Sequence, residues 1–397
     1  MNETFVCVDL GASSTRVRGE TLEVGILPNN VYDVSMDYVN RLDGWNSNAE
    51  DEAVFKQSID ISITKTAGED NLDHFPMRAL VGSVGERANA MANERPTALR
   101  NKHVQKINYA NAITAIVYQL VRDNGLDRIG ETEYDVNLYI ALPPVELAMG
   151  EAIMKSQLTG TYSISLCMLH KEITLNIKEV KCFAESFMAI TSFFFNTDGR
   201  PKDEARKYAN GNLLSLDIGA SSTDLAAVKN RKFLESTGAT FKIGGNNVRD
   251  IVKKEIASIY GYEPDDVTAE QALAEGRLQF GSTYKDISHI VVEAKMNVSK
   301  FFMSNISNYF KNNNMPLQSF VGIVVSGGGS MQSEFIDDEN EEVVTSKPMG
   351  EYLAEMIHET CDTVDVMCIA DNPRMANING LYVRAMVDKL VKERAAK

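Results

Sequence analysis

The chain of 397 residues holds one Trp, five Cys and five His, so chemistry that depends on clusters of these residues is scarce from the outset. The cysteines (Cys7, Cys167, Cys182, Cys361 and Cys368) are odd in number and irregularly spaced, with no C-x-x-C. A disulfide framework is excluded on that pattern, and reduced thiols in a cytoplasmic protein are expected. No Cys/His pair has zinc-ligand spacing, and none of the scattered histidines stands near a nucleophile motif. The longest apolar stretch, Phe187 to Phe195, is interrupted by Thr191 and Ser192. It falls far short of the ~20 residues that cross a bilayer. The opening MNETFVCVDL has no basic region ahead of an apolar one, so no signal peptide is expected. Cationic residues are the minority, 40 Lys+Arg against 55 Asp+Glu, for a net charge of −15. Such a surface repels nucleic acid and anionic lipid. The basic end (Lys389, Lys392, Arg394, Lys397) suits the C-terminus of a solvated helix. Neither G-x-x-x-x-G-K-[ST] nor G-x-S-x-G occurs, which argues against a P-loop protein and an α/β-hydrolase.

What is present is the balance of a globular chain, 44% apolar and 24% charged, long enough for two domains. Strand and helix patterns alternate. Phe5–Asp9 and Thr15–Val17 read as strands about a Gly turn, and Ile107, Ala110, Ile113, Val117, Leu120 and Val121 recur at helical spacing up to Asn124-Gly125. Val136–Leu142 is a strand ended by Pro143-Pro144. Tyr162–Leu169 and Ile173–Val180 form a hairpin pair, and Ser186–Phe195 a helix. After the polar break Asn196–Asn210 the plan recurs. Strands at Leu213–Asp217 and Thr223–Val228 precede helices at about Asn246–Tyr260 and Ile287–Phe310. Val321–Val325 is a buried strand running into Gly327-Gly328-Gly329. A last helix from about Ala376 carries Ile378, Leu381, Ala385 and Leu390 on one face. The order predicts an α/β architecture of sheets covered by helices.

An internal repeat is the most informative feature. Val8-Asp9-Leu10-Gly11-Ala12-Ser13-Ser14-Thr15 returns 208 residues later as Leu216-Asp217-Ile218-Gly219-Ala220-Ser221-Ser222-Thr223, with G-A-S-S-T identical. Each copy puts a carboxylate at a strand end, then a tight turn of small and hydroxyl residues, then a second strand. Glycine lets backbone approach a ligand, successive N–H groups make an anion nest, and hydroxyls add donors. Asp9 and Asp217 cannot bind phosphate, but either can hold Mg²⁺ through water. Two such hairpins suit a polyphosphate. One copy alone reads equally well as an ordinary hairpin turn.

With these residues in view, the chain resembles the actin-like ATPase superfamily, whose members share the two-domain actin/sugar-kinase/heat-shock-chaperone fold. The nearest likeness is to ParM-type plasmid-segregation bacterial actins. It is carried in order by Asp135–Pro143, Glu172–Ser186, Leu216–Asp224, Ile290–Met296, Val324–Met331 and Ala376–Val383. The resemblance implies domain I over 1–185 with helix 372–397 returning to it, domain II over 186–371, and a nucleotide in the interdomain cleft. It implies ATP and Mg²⁺ as cofactors, GTP remaining an open choice. Asp9 and Asp217 fall on Mg²⁺-associated carboxylates, and Glu185 on the carboxylate that positions the attacking water. Gly11 to Thr15 and Gly219 to Thr223 fall on phosphate turns, and Arg16 where relatives place a phosphate-directed Lys. Gly327, Gly328 and Gly329 fall on the loop passing the adenosine, and Gly245 on a nucleotide-side helix start. On residues alone, Glu185 reads as a helix-start Glu favoured by the dipole, Gly245 as loop and N-cap, and Asp224 as a salt-bridged strand residue. The function implied is ATP-driven, head-to-tail filament formation that segregates plasmid DNA. A small ParR-type DNA-binding adaptor on a centromere-like site would make the DNA contact, with no membrane partner. The alternatives are a cell-shape or cell-division actin relative, or a small-molecule kinase of the same fold.

Overall fold

The computed structural model describes residues 4–11, 14–20, 23–28, 31–33, 52–82, 84–85, 101–230, 232–330, 333–337, 342–361, 365–369 and 372–395. They form two units. The first is Met1–Thr191 with Phe195–Arg200 and Asn377–Lys397, and the second is Ser192–Phe194 with Pro201–Ala376.

The first unit is built on strands β1 (Thr4–Leu10), β2 (Ser14–Arg18), β3 (Gly25–Pro28), β4 (Val31–Asp33), β5 (Ile59–Ala67), β6 (Met77–Val81), β7 (Tyr134–Leu142), β8 (Gly160–Leu166) and β9 (Lys171–Ala184). They make one sheet in the order β3-β2-β1-β7-β9-β8-β5-β6-β4. At its centre β1, β7 and β9 run parallel. β1 and β7 are buried on both faces, which is why their sequences read as continuous apolar runs. β9 alternates instead, burying Ile173, Leu175 and Ile177 on one face. The helices are α1 (Glu52–Gln57), α2 (Lys106–Asn124), α3 (Pro144–Leu158) and α4 (Glu185–Phe194). α2 is buried over almost its whole length and stops at Gly125, whose φ of 83° suits glycine. α3 starts on Pro144, where a missing N–H costs nothing.

The second unit holds β10 (Asn212–Ile218), β11 (Thr223–Lys229), β12 (Lys232–Phe233), β13 (Ala239–Phe241), α5 (Gly245–Tyr260), α6 (Asp266–Glu275), β14 (Arg277–Phe280), β15 (Thr283–Asp286), α7 (Ser288–Asn312), β16 (Gly322–Ser326), β17 (Ser333–Asp337), β18 (Glu342–Ser346), α8 (Met349–Thr360) and β19 (Asp365–Ile369). Its main sheet runs β12-β11-β10-β16-β19, with β13 also on β11. This repeats the β3-β2-β1-β7-β9 order of the first unit: an antiparallel hairpin, then two strands parallel to its first strand. The repeat holds residue by residue. Cys7 faces Arg18 as Ser215 faces Ala226, and Asp9 faces Arg16 as Asp217 faces Asp224. Each unit closes its own apolar core.

Three details differ from the sequence expectations. The strand expected to reach Leu169 stops at Leu166, because residues 167–170 form a turn with His170 at φ 51°. β9 continues to Ala184, since pairing with β7 extends to Leu142. On the last helix, α9 (Ala376–Ala395), Ile378, Leu381 and Ala385 are buried but Leu390 is 39% exposed. The buried stripe therefore ends about a turn earlier than its periodicity suggests.

The second turn of α9 begins at a close approach. A Cβ on Gly380 would lie 1.9 Å from the Met188 carbonyl oxygen of α4. Backbone on both sides leaves no flexible group to yield. Gly380→Ala is expected to cost about 1–3 kcal/mol. The thermal midpoint should fall by about 3–10 °C, read by circular dichroism. An unchanged midpoint would show that the two helices separate freely. No described helix is long and apolar enough to cross a membrane.

Candidate functional site

Chemistry-bearing residues collect at the carboxyl ends of the parallel strands in each unit, the edge where open α/β sheets bind ligands. In the first unit, β1 ends in Asp9-Leu10, β7 in Leu142, and β9 in Ala184 directly before Glu185. The first hairpin closes with Gly11 N–H donating to Ser14 O at 3.2 Å. A Cβ on Gly11 would lie 2.7 Å from that oxygen, so the turn requires glycine. Asp9 is buried, and its Oδ2 accepts from Arg16 Nη1 at 2.9 Å across the hairpin. The expected metal carboxylate and the expected phosphate cation thus neutralise each other. Thr15 is fully buried, so its hydroxyl lies on the core side, and Ser14 is the described residue that keeps a half-buried hydroxyl at the turn. Ala12 and Ser13 lie outside the described residues.

Glu185 opens α4, as its position after β9 predicts, but it is buried and ion-paired with Lys102 Nζ. Lys102 Nζ also donates to Leu10 O at 2.6 Å. Lys102 was not among the residues picked out in the sequence. It sits in a single 3₁₀ turn with no motif around it, and only the tertiary fold brings it to Glu185 across 83 residues.

In the second unit Gly219 N–H donates to Ser222 O at 2.8 Å, the same bond as in the first hairpin. Asp217 is buried and accepts from Ser326 Oγ at 3.3 Å, at the end of the adjacent parallel strand. Asp224, opposite Asp217 on β11, accepts from Thr240 Oγ1 at 2.5 Å. Thr223 Oγ1 donates to Ile243 O at 2.7 Å and is buried, so the exposed hydroxyl of this turn is Ser221, with Ser222 half-buried. Gly245 opens α5. Its N–H donates to Gly219 O at 3.0 Å, and Asn246 N–H to Ala220 O at 2.7 Å. The first amides of α5 are taken up in bracing the turn. The close approach belongs to Gly244, where a Cβ would lie 2.6 Å from Gly219 O.

The triple glycine divides likewise. Gly327 has φ +86°, and a Cβ there would lie 2.3 Å from Ile218 O and 2.5 Å from Asp217 Oδ1. On Gly329 it would lie 2.3 Å from Ile218 Cγ2, whereas Gly328 meets nothing nearer than Arg374 Nε at 4.0 Å. Gly327 N–H donates to Pro373 O at 2.8 Å. Gly327 and Gly329 are therefore needed to lay this loop on the end of β10.

As for a metal, no cluster of three or more His, Cys, Asp or Glu occurs among the described residues. The second hairpin sets Asp217 and Asp224 opposite each other, hard oxygen donors that fit Mg²⁺, an ion that keeps most of its waters. The first hairpin fits it less well, since Asp9 already meets a guanidinium.

One further ionisable group stands out. Lys295 of α7 donates to Ser346 Oγ at 2.8 Å, and burial pulls its pKa down to about 8. Between that value and its ordinary one the unfolded chain binds the extra proton, so stability should rise with pH across this window. The burden of the charged form is present below about pH 8. Lys295→Met should be more stable than wild type by roughly 1–3 kcal/mol at pH 7, the gap closing toward pH 10. Denaturant titrations at the two pH values test this; a pH-independent gap would refute it.

Comparison with known proteins agrees with this fold. Residues 215–338 match the family model described as archaeal actin homologue MreB-like, C-terminal. No curated protein sequence matches the chain. Among solved structures, actin-like protein Alp7A is similar at 19% identity, with a TM-score of 0.75 over 100% of both chains. A Bacillus thuringiensis ParM with AMPPNP is 12% identical, with a TM-score of 0.62 over 98% of this chain and 100% of that one. The protein of a 15-stranded ParM filament from Clostridium botulinum is 16% identical, with a TM-score of 0.59 over 98% of this chain and 100% of that one. The chain has the actin-like fold, as the resemblance implied, and its structural neighbours include ParM-type proteins.

Proposed function

We propose that this protein is a Mg²⁺-dependent ATPase that assembles head to tail into filaments, and that these move plasmid DNA through a small DNA-binding adaptor of ParR type. The observation that carries the reading is the pair of D-x-G-A-S-S-T hairpins in identical register, each closing a parallel strand of an actin-like unit. The turn amides that follow the closing N–H groups of Gly11 and Gly219 would meet phosphate oxygens, and Arg16 would exchange Asp9 for phosphate. Gly327–Gly329 would pass the adenosine. Asp217 would hold a hydrated cation in the second unit, and Asp9 would gain that capacity in the first once Arg16 has left it. Mg²⁺, when bound, neutralises charge on the phosphates. Glu185 would orient a water in line with the γ-phosphate and take up its proton. The AMPPNP-bound ParM and the ParM filament, sharing this fold, support nucleotide use and self-assembly. A heterologous contact that does not close extends into a filament. The net charge of −15 suits a cytoplasmic protein that leaves DNA contact to an adaptor.

Electron microscopy and sedimentation of the purified protein, with and without ATP and Mg²⁺, test this reading. Filaments that appear with ATP and phosphate release that tracks them are expected. A protein that neither pellets nor releases phosphate would overturn it.

A further inference from the structure

We infer that Lys102 is a positioning residue for ATP hydrolysis, tying the carboxylate of Glu185 to the end of the first hairpin. This rests on the reading of Glu185 as the carboxylate that activates water. The turn that carries Lys102 is held on both sides. Lys102 lies in the short turn Lys102–Val104, entered through Asn101 at φ 55°. One carboxylate, Glu146 at the start of α3, accepts from Asn101 N–H at 2.8 Å and Lys102 N–H at 2.7 Å, and its Oε2 lies 3.2 Å from His103 Nδ1. From α2, Asn108 Nδ2 donates to Lys102 O at 3.1 Å and Tyr109 OH to His103 O at 2.5 Å. Gly150 of α3 leaves the room the turn needs, since a Cβ there would lie 2.9 Å from His103 Cβ. Two helices thus clamp both sides of a three-residue turn whose side chain reaches Glu185.

Lys102 and Glu185 are 6% and 8% exposed at their side chains. Burying such a pair brings little net stability, because desolvation offsets the attraction, and an apolar pair of similar size would serve as well. Losing one partner is what costs, because it strands a buried charge. Here the ammonium also holds Leu10 O at 2.6 Å, between Asp9 and Gly11. These contacts therefore span the carboxylate and the phosphate-turn backbone. Catalysis of this kind depends on fixed geometry, in which small displacements matter.

The test compares Lys102→Met, Glu185→Gln and the double variant with wild type, measuring kcat, KM and AMPPNP affinity. Lys102→Met should lose about 10–100-fold in kcat while KM and AMPPNP affinity stay within about threefold, a split that a merely structural role would not give. The double variant should be no slower than Glu185→Gln, because both changes act on one group. Removing both charges also avoids a stranded carboxylate, so the double variant keeps the comparison available if Lys102→Met does not fold. Lys102→Arg, which keeps the cation, should recover part of the rate. Loss in the double variant that multiplies the two single losses would overturn the inference. So would Lys102→Met at the wild-type kcat while Glu185→Gln is slow, or equal loss of kcat and AMPPNP binding in Lys102→Met. Glu185→Gln at the wild-type rate would instead overturn the reading of Glu185 itself.

Discussion

Asp217→Ala is expected to reduce Mg²⁺-dependent ATP hydrolysis by about 10²–10³-fold, the scale on which a positioned catalytic group acts. Asp217 is buried at the end of β10, faces Asp224 across the hairpin, and takes a hydrogen bond from Ser326 on the neighbouring parallel strand. Gly327, which a Cβ would push onto Asp217 Oδ1, shows how tightly the carboxylate is enclosed. The loss should persist at saturating ATP and should not be recovered by raising Mg²⁺ tenfold. Phosphate release across a Mg²⁺ titration checks this, with circular dichroism confirming the fold. Hydrolysis at the wild-type rate would remove Asp217 from the site while leaving the actin-like fold intact. Asp9→Ala should differ in kind. It frees Arg16 from its ion pair, so nucleotide binding and Mg²⁺ dependence shift together.

Glu185→Ala is expected to separate binding from chemistry. If Glu185 orients the attacking water, the variant still binds ATP and still assembles, but its filaments persist. Nucleotide state shifts assembly only through differing affinity for two protein conformations. Without hydrolysis the population stays in the ATP-favoured one. After a limited pulse of ATP, light scattering should rise and decay for wild type, and rise to a plateau for the variant. Phosphate release should fall by about 10²–10⁴-fold. The truncation leaves Lys102 facing a small apolar group, a buried charge without this partner, so the variant's thermal midpoint should also fall. Decay at the wild-type rate, or normal phosphate release, would restore the plainer reading of Glu185 as a helix-start residue.

Much of this was legible in the chain itself. β1, β7, β10 and β16 announce themselves as continuous apolar runs because each lies in a parallel sheet centre covered on both faces. The duplicated G-A-S-S-T turn is equally local. A Cβ on Gly11 would lie 2.7 Å from Ser14 O and one on Gly219 a tight 3.0 Å from Ser222 O, and the register of each hairpin follows from its own two strands. The C-terminus of α2 follows from Asn124-Gly125, a chain-local choice of backbone conformation.

What the tertiary structure alone decided is the partnering of charges. Asp9 and Asp217 occupy equivalent places in equivalent turns, yet one meets a guanidinium and the other a serine hydroxyl and a facing aspartate. That difference lies in Arg16 and Asp224, a residue pair whose meaning appears only once cross-strand register is known. Glu185 reads as an exposed helix start until β9 is seen to deliver it to a buried edge. The close contact of Gly244 with Gly219 O appears only in the fold, and Lys102 carried no signal at all. Motifs record short-range backbone demands, which neighbouring residues satisfy and sequence spacing preserves. An ion pair across 83 residues is set by where two helices and three strand ends come to rest, and no local pattern encodes it.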